Sequence, residues 1–287
     1  MRINRTVLYF IIVISFFFFN FYFRPVQGNP LMSSEYKNSS AFINNMYVSD
    51  EFFKEHAMNK DEYYIYEHLI DDVKTGKSHS TIQCKNEKGC SAAFNSAYEA
   101  IYLDHPELIA FQSASWMDHG DSLDVSYLRL GRLQAYLGAR RIEREISIVQ
   151  KETKNMTDKE KILFVYNYVA RHDYDHLFMY SSSNQSAYSF FTKGSSVCAG
   201  FAKASQLLFQ NIGIKSYLVM NTDHMWNYVE YEGKYYVFDA TMGTGFRKDS
   251  SNYYSGLGET TVGVTKGYFE NIYPPIEDTK LRTVFGV

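Results

Sequence analysis

Within residues 195–239, Cys198, His224 and Asp239 each sit at the edge of a predicted element. After Cys198, the residues Phe201, Ala204, Ser205, Leu208 and Ile212 recur at three- and four-residue steps, the spacing of one buried helix face. Gly213 supplies a stop. The periodicity predicts a helix over residues 199–211 with Cys198 at or near its N-terminus. Unpaired N–H groups and the positive end of the helix dipole favour a thiolate there. A free cysteine is more often a buried structural residue, so Cys198 alone decides nothing. Residues 214–220, 224–231 and 234–239 read as three strands, the last two joined by Glu232-Gly233. A two-residue turn sets the hairpin register. Tyr231 then faces Lys234, Trp226 faces Asp239, and His224 is the diagonal neighbour of Asp239 on the same face. Diagonal pairs lie about 7–8 Å apart, within reach of an imidazole and a carboxylate. The register therefore predicts a His224–Asp239 hydrogen bond, which a bulged turn would shift by one residue. Nucleophile, base and orienter of the base then follow in chain order.

The strings V-C-A-G-F-A-K-A, G-I-K-S-Y-L-V and H-M-W-N-Y-V-E-Y-E-G-K-Y-Y-V-F-D-A-T together resemble the core of the transglutaminase-like superfamily, especially its bacterial branch. The upstream Q-S-A-Y (Gln185 to Tyr188) and the downstream D-A-T-M-G-T-G (Asp239 to Gly245) are similar to the family pattern. The likeness covers the second half of the chain well and the first half loosely. It implies an α+β papain-like thiol fold, with the nucleophile helix packed against an antiparallel sheet and a Cys198-His224-Asp239 triad. His224 follows Cys198 by 26 residues and Asp239 follows His224 by 15. Papain-type proteases separate cysteine and histidine by well over a hundred residues, so that branch is excluded. The D-H-x-W form at Asp223 to Trp226 is shared with peptide N-glycanases. Those usually carry zinc-binding CxxC pairs, and this chain has three cysteines and no CxxC.

The N-terminus reads as a targeting segment. Arg2 and Arg5 precede an apolar run over residues 7–23, and Val26-Gln27-Gly28 offers small residues for cleavage. The run is long for a signal peptide and short for a full span; residues 1–28 are expected to be a signal peptide, cleaved, or else a membrane anchor. No cysteine follows closely, as a lipoprotein would require. The bulk of the chain is accordingly expected outside the cytoplasm, secreted or at the cell surface. Such a compartment favours a Cys84–Cys90 disulfide and leaves Cys198 free. Net charge is −3 for the 287 residues; residues 1–28 hold three arginines and no acid, so the remainder carries 26 basic against 32 acidic side chains. With no basic stripe, nucleic acid is excluded as a partner, and a membrane enters only through the N-terminal segment if it stays uncleaved.

Residues 29–50 read as a Ser/Asn-rich linker, residues 51–135 as a mostly helical N-terminal region, and residues 136–287 as the catalytic core. Helices are expected from Ser49-Asp50-Glu51, over residues 61–74, 92–103 and 139–153, and from the capping-box sequence Thr157-Asp158-Lys159-Glu160. Tyr64, Ile65, His68, Leu69 and Val73 share one stripe, which makes His68 a packed core histidine. Residues 78–83 and 122–130 are candidate strands, and the tail from Tyr253 is expected to complete the sheet as strand and extended segment. Asn38, Asn155 and Asn184 head glycosylation sequons, relevant to a eukaryotic source. His172-x₃-His176 has metal-like spacing but no third ligand, so a solvated helix end is expected there, with no metal and no cofactor. Residues 181–194 read as a polar loop delivering Gln185 and Tyr188 to the nucleophile. Each is a candidate oxyanion donor beside the Cys198 N–H, or simply loop packing. Trp226 is expected either to shield the Cys–His pair and line the acyl groove or to pack in the core.

These readings predict a thiol enzyme acting on amide bonds of proteins or peptides. Cys198 would form a thioester that water or an amine resolves, giving a protease, a deamidase or a transglutaminase. The alternative is a binding or structural module on the same scaffold without catalysis.

Overall fold

The computed structural model of the chain describes residues 51–84, 90–260, 269 and 271–287. The targeting and linker readings of residues 1–50, and the sequon at Asn38, lie outside the described residues. The first described segment runs α1 (Phe52–Ala57), α2 (Lys60–Thr75), β1 (His79–Gln83), α3 (Cys90–Asp104), β2 (Phe111–Asp118) and β3 (Ser122–Arg129). Helix α2 starts where the Asn59 side chain accepts from the Asp61 and Glu62 N–H groups while Glu62 reaches back to the Asn59 N–H. It ends at Gly76, whose φ of 82° suits a residue without Cβ. Its buried face is Ile65, Tyr66, Leu69, Ile70 and Val73. The expected stripe is thus rotated: His68 is exposed and bonds back to the Tyr64 carbonyl, because Tyr66 instead points inward to reach His105 at 2.8 Å. The three strands form an antiparallel sheet in the order β1-β3-β2. Strand β2 was not anticipated, since residues after Phe111 are all partly or largely exposed and leave no alternating signal.

The second segment continues α4 (Arg132–Thr153), α5 (Asp158–Ala170), β4 (Asp173–Tyr174), α6 (Ala187–Lys193), β5 (Ser195–Ser196), α7 (Cys198–Asn211), β6 (Ser216–Met220), β7 (Met225–Tyr231), β8 (Lys234–Phe238) and α8 (Leu281–Phe285). Helix α4 begins seven residues before the expected position, because Gly138 does not break it. A Cβ there would lie 2.3 Å from the Tyr188 ring, so the glycine admits close packing of α6. The Thr157–Glu160 capping box starts α5 as expected. Residues 187–193 are a buried helix rather than polar loop, since Ala187, Tyr188, Phe190 and Phe191 fill the core. Strands β6-β7-β8 form the antiparallel sheet of the core. The tail is corrected too. Its described residues add single bridges, Phe238 to Leu257 and Tyr235 to Ile276, and then the short helix α8.

Helix α7 is the centre of this arrangement. It is buried nearly all round, not on the single face its periodicity suggested. Phe201, Ala204, Leu207 and Leu208 enter a core made with α4, α5, α6 and β8, whereas Ala199 and Ala202 enter the core of the N-terminal helices and sheet. Its polar residues are matched. Gln206 donates to the Ser216 carbonyl and accepts from Ser216 Oγ and Asn227 Nδ2, tying α7 to β6 and β7.

Candidate active site

Cys198 is the first residue of α7, so its N–H has no acceptor within the helix. Val197 before it is extended and gives no side-chain cap. The approach is instead held from the side. Strand β5 pairs in parallel with β4, Tyr174 opposite Ser196, and the Asp175 N–H donates to the Ser196 carbonyl. Ser196 Oγ donates to the Asn184 carbonyl and lies 2.6 Å from Ser189 Oγ. Gly200 makes this packing possible, because a Cβ there would fall 1.9 Å from Ser196 Oγ and 3.0 Å from the Ser186 carbonyl.

His224 stands just before β7. Asn221 Oδ1 accepts from the Asp223 and His224 N–H groups, which fixes the connection from β6. The β7–β8 register is the expected one, Tyr231 opposite Lys234 and Asn227 opposite Phe238. Glu232 and Gly233, with φ of 52° and 75°, form the two-residue turn that sets it. One step beyond that ladder Trp226 faces Asp239, and His224 Nε2 meets Asp239 Oδ2 at 2.7 Å. The other carboxylate oxygen, Oδ1, accepts from the Thr241 N–H at 3.1 Å and from Thr241 Oγ1.

The same imidazole lies close enough to the Cys198 thiol for each to act on the other's proton. With Nε2 on Asp239, Nδ1 is the nitrogen left to face the sulfur. Burial by itself would raise the thiol, but the hydrogen bond and charge of His224, with the Met225 and Ala199 N–H groups, hold it below its ordinary value. Burial likewise opposes a charged imidazole, yet Asp239 and Cys198 together raise His224 to about 9. The arrangement favours a thiolate–imidazolium pair.

These side chains open onto a cleft of about 470 Å³, walled by Tyr102, Tyr174, Met179, Tyr180, Gln185 and Met220. A second cavity of about 460 Å³, lined by Phe52, Leu103, Ile214 and Tyr217, touches no member of the trio. Gln185 is at the cleft wall, but its amide donates to the Met179 carbonyl at 2.6 Å and its own carbonyl accepts from Tyr102. Tyr188 is elsewhere: its ring packs under Gly138 in the core and lines no part of the cleft. Trp226 is fully buried and outside the groove, stacked on His224 at 5.9 Å and 14°. Its indole N–H has no partner among the described residues.

Sequence reasoning overlooked three residues here. Tyr174 places its hydroxyl beside both the Sγ and the N–H of Cys198, and burial, then the charge of Cys198, push it up to about 12. Tyr102 reaches in from α3 across the two cores. Lys203 lies behind it, buried, Nζ 3.0 Å from the Tyr102 ring centre and held well below its ordinary value by that burial. His172, by contrast, stacks on Phe190 and bonds the Tyr168 carbonyl. No group of three His, Cys, Asp or Glu side chains among the described residues is placed to hold a metal ion.

Residues 146–240 match the family model of the transglutaminase-like superfamily. The chain carries a transglutaminase-like domain. The matched segment is about a third of the chain, runs from α4 to just past β8, and includes Cys198, His224 and Asp239. Two solved structures are similar to parts of the chain. One is a candidate cysteine protease from Cytophaga hutchinsonii, at 20% identity over 35% of this chain and 37% of that one, with a TM-score of 0.30. The other is a TGase, at 16% identity over 61% of this chain and 53% of that one, with a TM-score of 0.33. The chain thus spans about a third to a half of those proteins, and likenesses this loose carry no argument about activity. No curated protein matches the chain.

Proposed function

We propose that the transglutaminase-like domain is a thiol enzyme acting on amide bonds of proteins or peptides outside the cytoplasm. The observation that carries the reading is the linked set of Cys198 and His224, which line one open cleft, and Asp239, buried behind the imidazole. The Cys198 thiolate adds to the amide carbonyl carbon, and the C=O electron pair moves onto oxygen. The Cys198 N–H at the helix start and the Tyr174 hydroxyl beside it are the donors offered to that oxyanion. The imidazolium of His224 gives its proton to the amide nitrogen, the C–N bond breaks, and ammonia or an amine leaves a thioester on Cys198. Water or a second amine then attacks the thioester, His224 takes back a proton, and the thiolate departs. Asp239 takes no part in the proton transfer and holds the ring in place. A Cys84–Cys90 disulfide beside a free Cys198 supports an oxidising compartment.

Mass spectrometry of a peptide mixture incubated with a primary amine tests the reading, with Cys198→Ala as the control. Amine incorporation with loss of ammonia identifies transfer. Conversion of a carboxamide to an acid identifies deamidation, and backbone cleavage identifies a protease. Identical spectra for wild type and Cys198→Ala would reject the enzyme reading and leave a binding module.

A further inference from the structure

The four residues Leu177-Phe178-Met179-Tyr180 are a run of large apolar side chains on the surface. Leu177 is 88% exposed, Phe178 64% and Tyr180 94%. Single exposed apolar residues are ordinary on a protein surface, but a contiguous group of this size marks a contact site. The loop that carries them is built rather than loose. Asp175 Oδ1 accepts from the Leu177 and Phe178 N–H groups at 3.0 and 3.1 Å, and Asp175 Oδ2 accepts from Asn184 Nδ2 at 3.0 Å. Gln185 Nε2 holds the Met179 carbonyl at 2.6 Å, and the Ser181 N–H donates to the Phe178 carbonyl. Asn184 is fully buried, so this anchoring is part of the fold. The backbone is therefore fixed while the side chains stand in solvent.

The position of the loop decides its occupant. Met179 and Tyr180 are walls of the cleft that holds Cys198 and His224. With Tyr102, Tyr174 and Met220 they make that side of the cleft aromatic and thioether-rich, opposite a polar stretch of Asn221, Thr222 and Asp223, and among the described residues no lysine or arginine lines it. Strand β4, which leads into the loop, is the strand paired beside the entrance to α7. A peptide whose carbonyl sits at Cys198 advances about 3.3 Å per residue when extended, so one that leaves the cleft over the Met179–Tyr180 wall meets Leu177 and Phe178, the next residues of the same loop.

From this placement we propose that residues 177–180 form a preorganised apolar lip that selects acyl-donor peptides bearing an aromatic or large aliphatic side chain next to the attacked amide. The inference rests on the thiol-enzyme reading and names its substrate class. The lip binds that side chain on Leu177, Phe178 and Tyr180, and the pinned backbone lowers the ordering cost of doing so.

The test uses covalent capture of Cys198, which needs no knowledge of the natural substrate. Peptidyl chloromethyl ketones with Phe or with Ser beside the warhead are compared on wild type and on Leu177→Ser/Phe178→Ser/Tyr180→Ser. Each rate is divided by the iodoacetamide rate of the same protein, which reports the thiol alone. The wild type is expected to react about tenfold faster with the Phe reagent than with the Ser reagent, the size expected for a partly covered hydrophobic side chain. The triple variant is expected to bring that ratio within about twofold of unity. Equal normalised rates in the wild type would overturn the lip while leaving the nucleophile intact. A Cys198 no more reactive to iodoacetamide at pH 6 than free cysteine would remove the thiol-enzyme reading, and the inference with it. Loss of vesicle binding or of a dimer in the triple variant, with the Phe/Ser ratio unchanged, would assign the patch to a membrane or a second copy and equally overturn it.

Discussion

At Cys198 two opposing effects meet, and their outcome sets the chemistry. Burial favours the neutral thiol, whereas the His224 hydrogen bond and charge favour the thiolate and win. Iodoacetamide labelling of Cys198 is therefore expected to continue at pH 6, where free cysteine is nearly silent. His224→Ala removes the lowering influence and is expected to reduce the pH 6 rate by at least about tenfold. At the alkaline end His224 governs. Its value is raised from 6.5 to about 9, so the contribution of its charged form to stability is full below 6.5 and is lost as pH rises through about 9. Turnover is expected to fall over the same window, because the leaving nitrogen loses its acid. In thermal melts, the gap between wild type and His224→Ala is expected to narrow from pH 6 to pH 10. A turnover that is flat from pH 8 to 10 would contradict the assignment of His224 as the acid. Asp239→Asn keeps the shape but forfeits the charge that orients the ring and favours its protonated form, and is expected to lower kcat on the order of 10²–10³-fold. Asn184 offers a different test. Its side chain is buried and bonded to Asp175, while Asn155 is exposed. Expression through a eukaryotic secretory route is expected to glycosylate Asn155 and leave Asn184 bare, as glycopeptide mapping would show.

Among the elements, α7 and the β7–β8 hairpin carry the geometry, and they were legible to different degrees. The hairpin is local: a two-residue turn and a period of two place every partner, so the His224–Asp239 contact followed from counting along two arms. Helix α7 announced its length but not its burial. Its periodicity showed one apolar face, and the second core behind Ala199 and Ala202 comes from chain about a hundred residues away. Gly200 shows how tight this is. Gly200→Ala would press Ser196 and the Ser186 carbonyl, and is expected to cost about 1–3 kcal/mol in urea unfolding through overpacking. It should also slow Cys198 alkylation, since β5 and Cys198 would shift together. Unchanged stability with unchanged labelling would mean that Ser196 turns away freely. Helix α6 was missed because residues 181–194 are rich in serine, a composition that favours turns; Phe190 and Phe191 are helical because α4 and α7 bury them.

On the scale of the whole molecule, the N-terminal helices and sheet are joined to the transglutaminase-like domain through α7 and through Tyr102, which spans from α3 to the cleft. The Cys84–Cys90 disulfide closes a loop of six residues' separation at the start of α3. Its removal by Cys84→Ala/Cys90→Ala is expected to cost about 2 kcal/mol of stability by the loop-entropy relation. Cys198 labelling at pH 6 should be retained, because Cys198, His224 and Asp239 lie elsewhere; loss of labelling would mean that the α3 contact with the cleft depends on the bridge. The sequence by itself determined the trio, its order and the hairpin register, since nearest-neighbour periodicity and turn chemistry act over a few residues. It also singled out Cys198 as the thiol left outside the disulfide. Only the tertiary structure decided that Tyr174 and Tyr102 wall the cleft of the thiol, that Tyr188 is core, that Trp226 stacks behind the imidazole, and that Met179 and Tyr180 wall the same cleft. Those placements depend on packing between segments distant in the chain, for which a side chain's own neighbours in sequence carry no record.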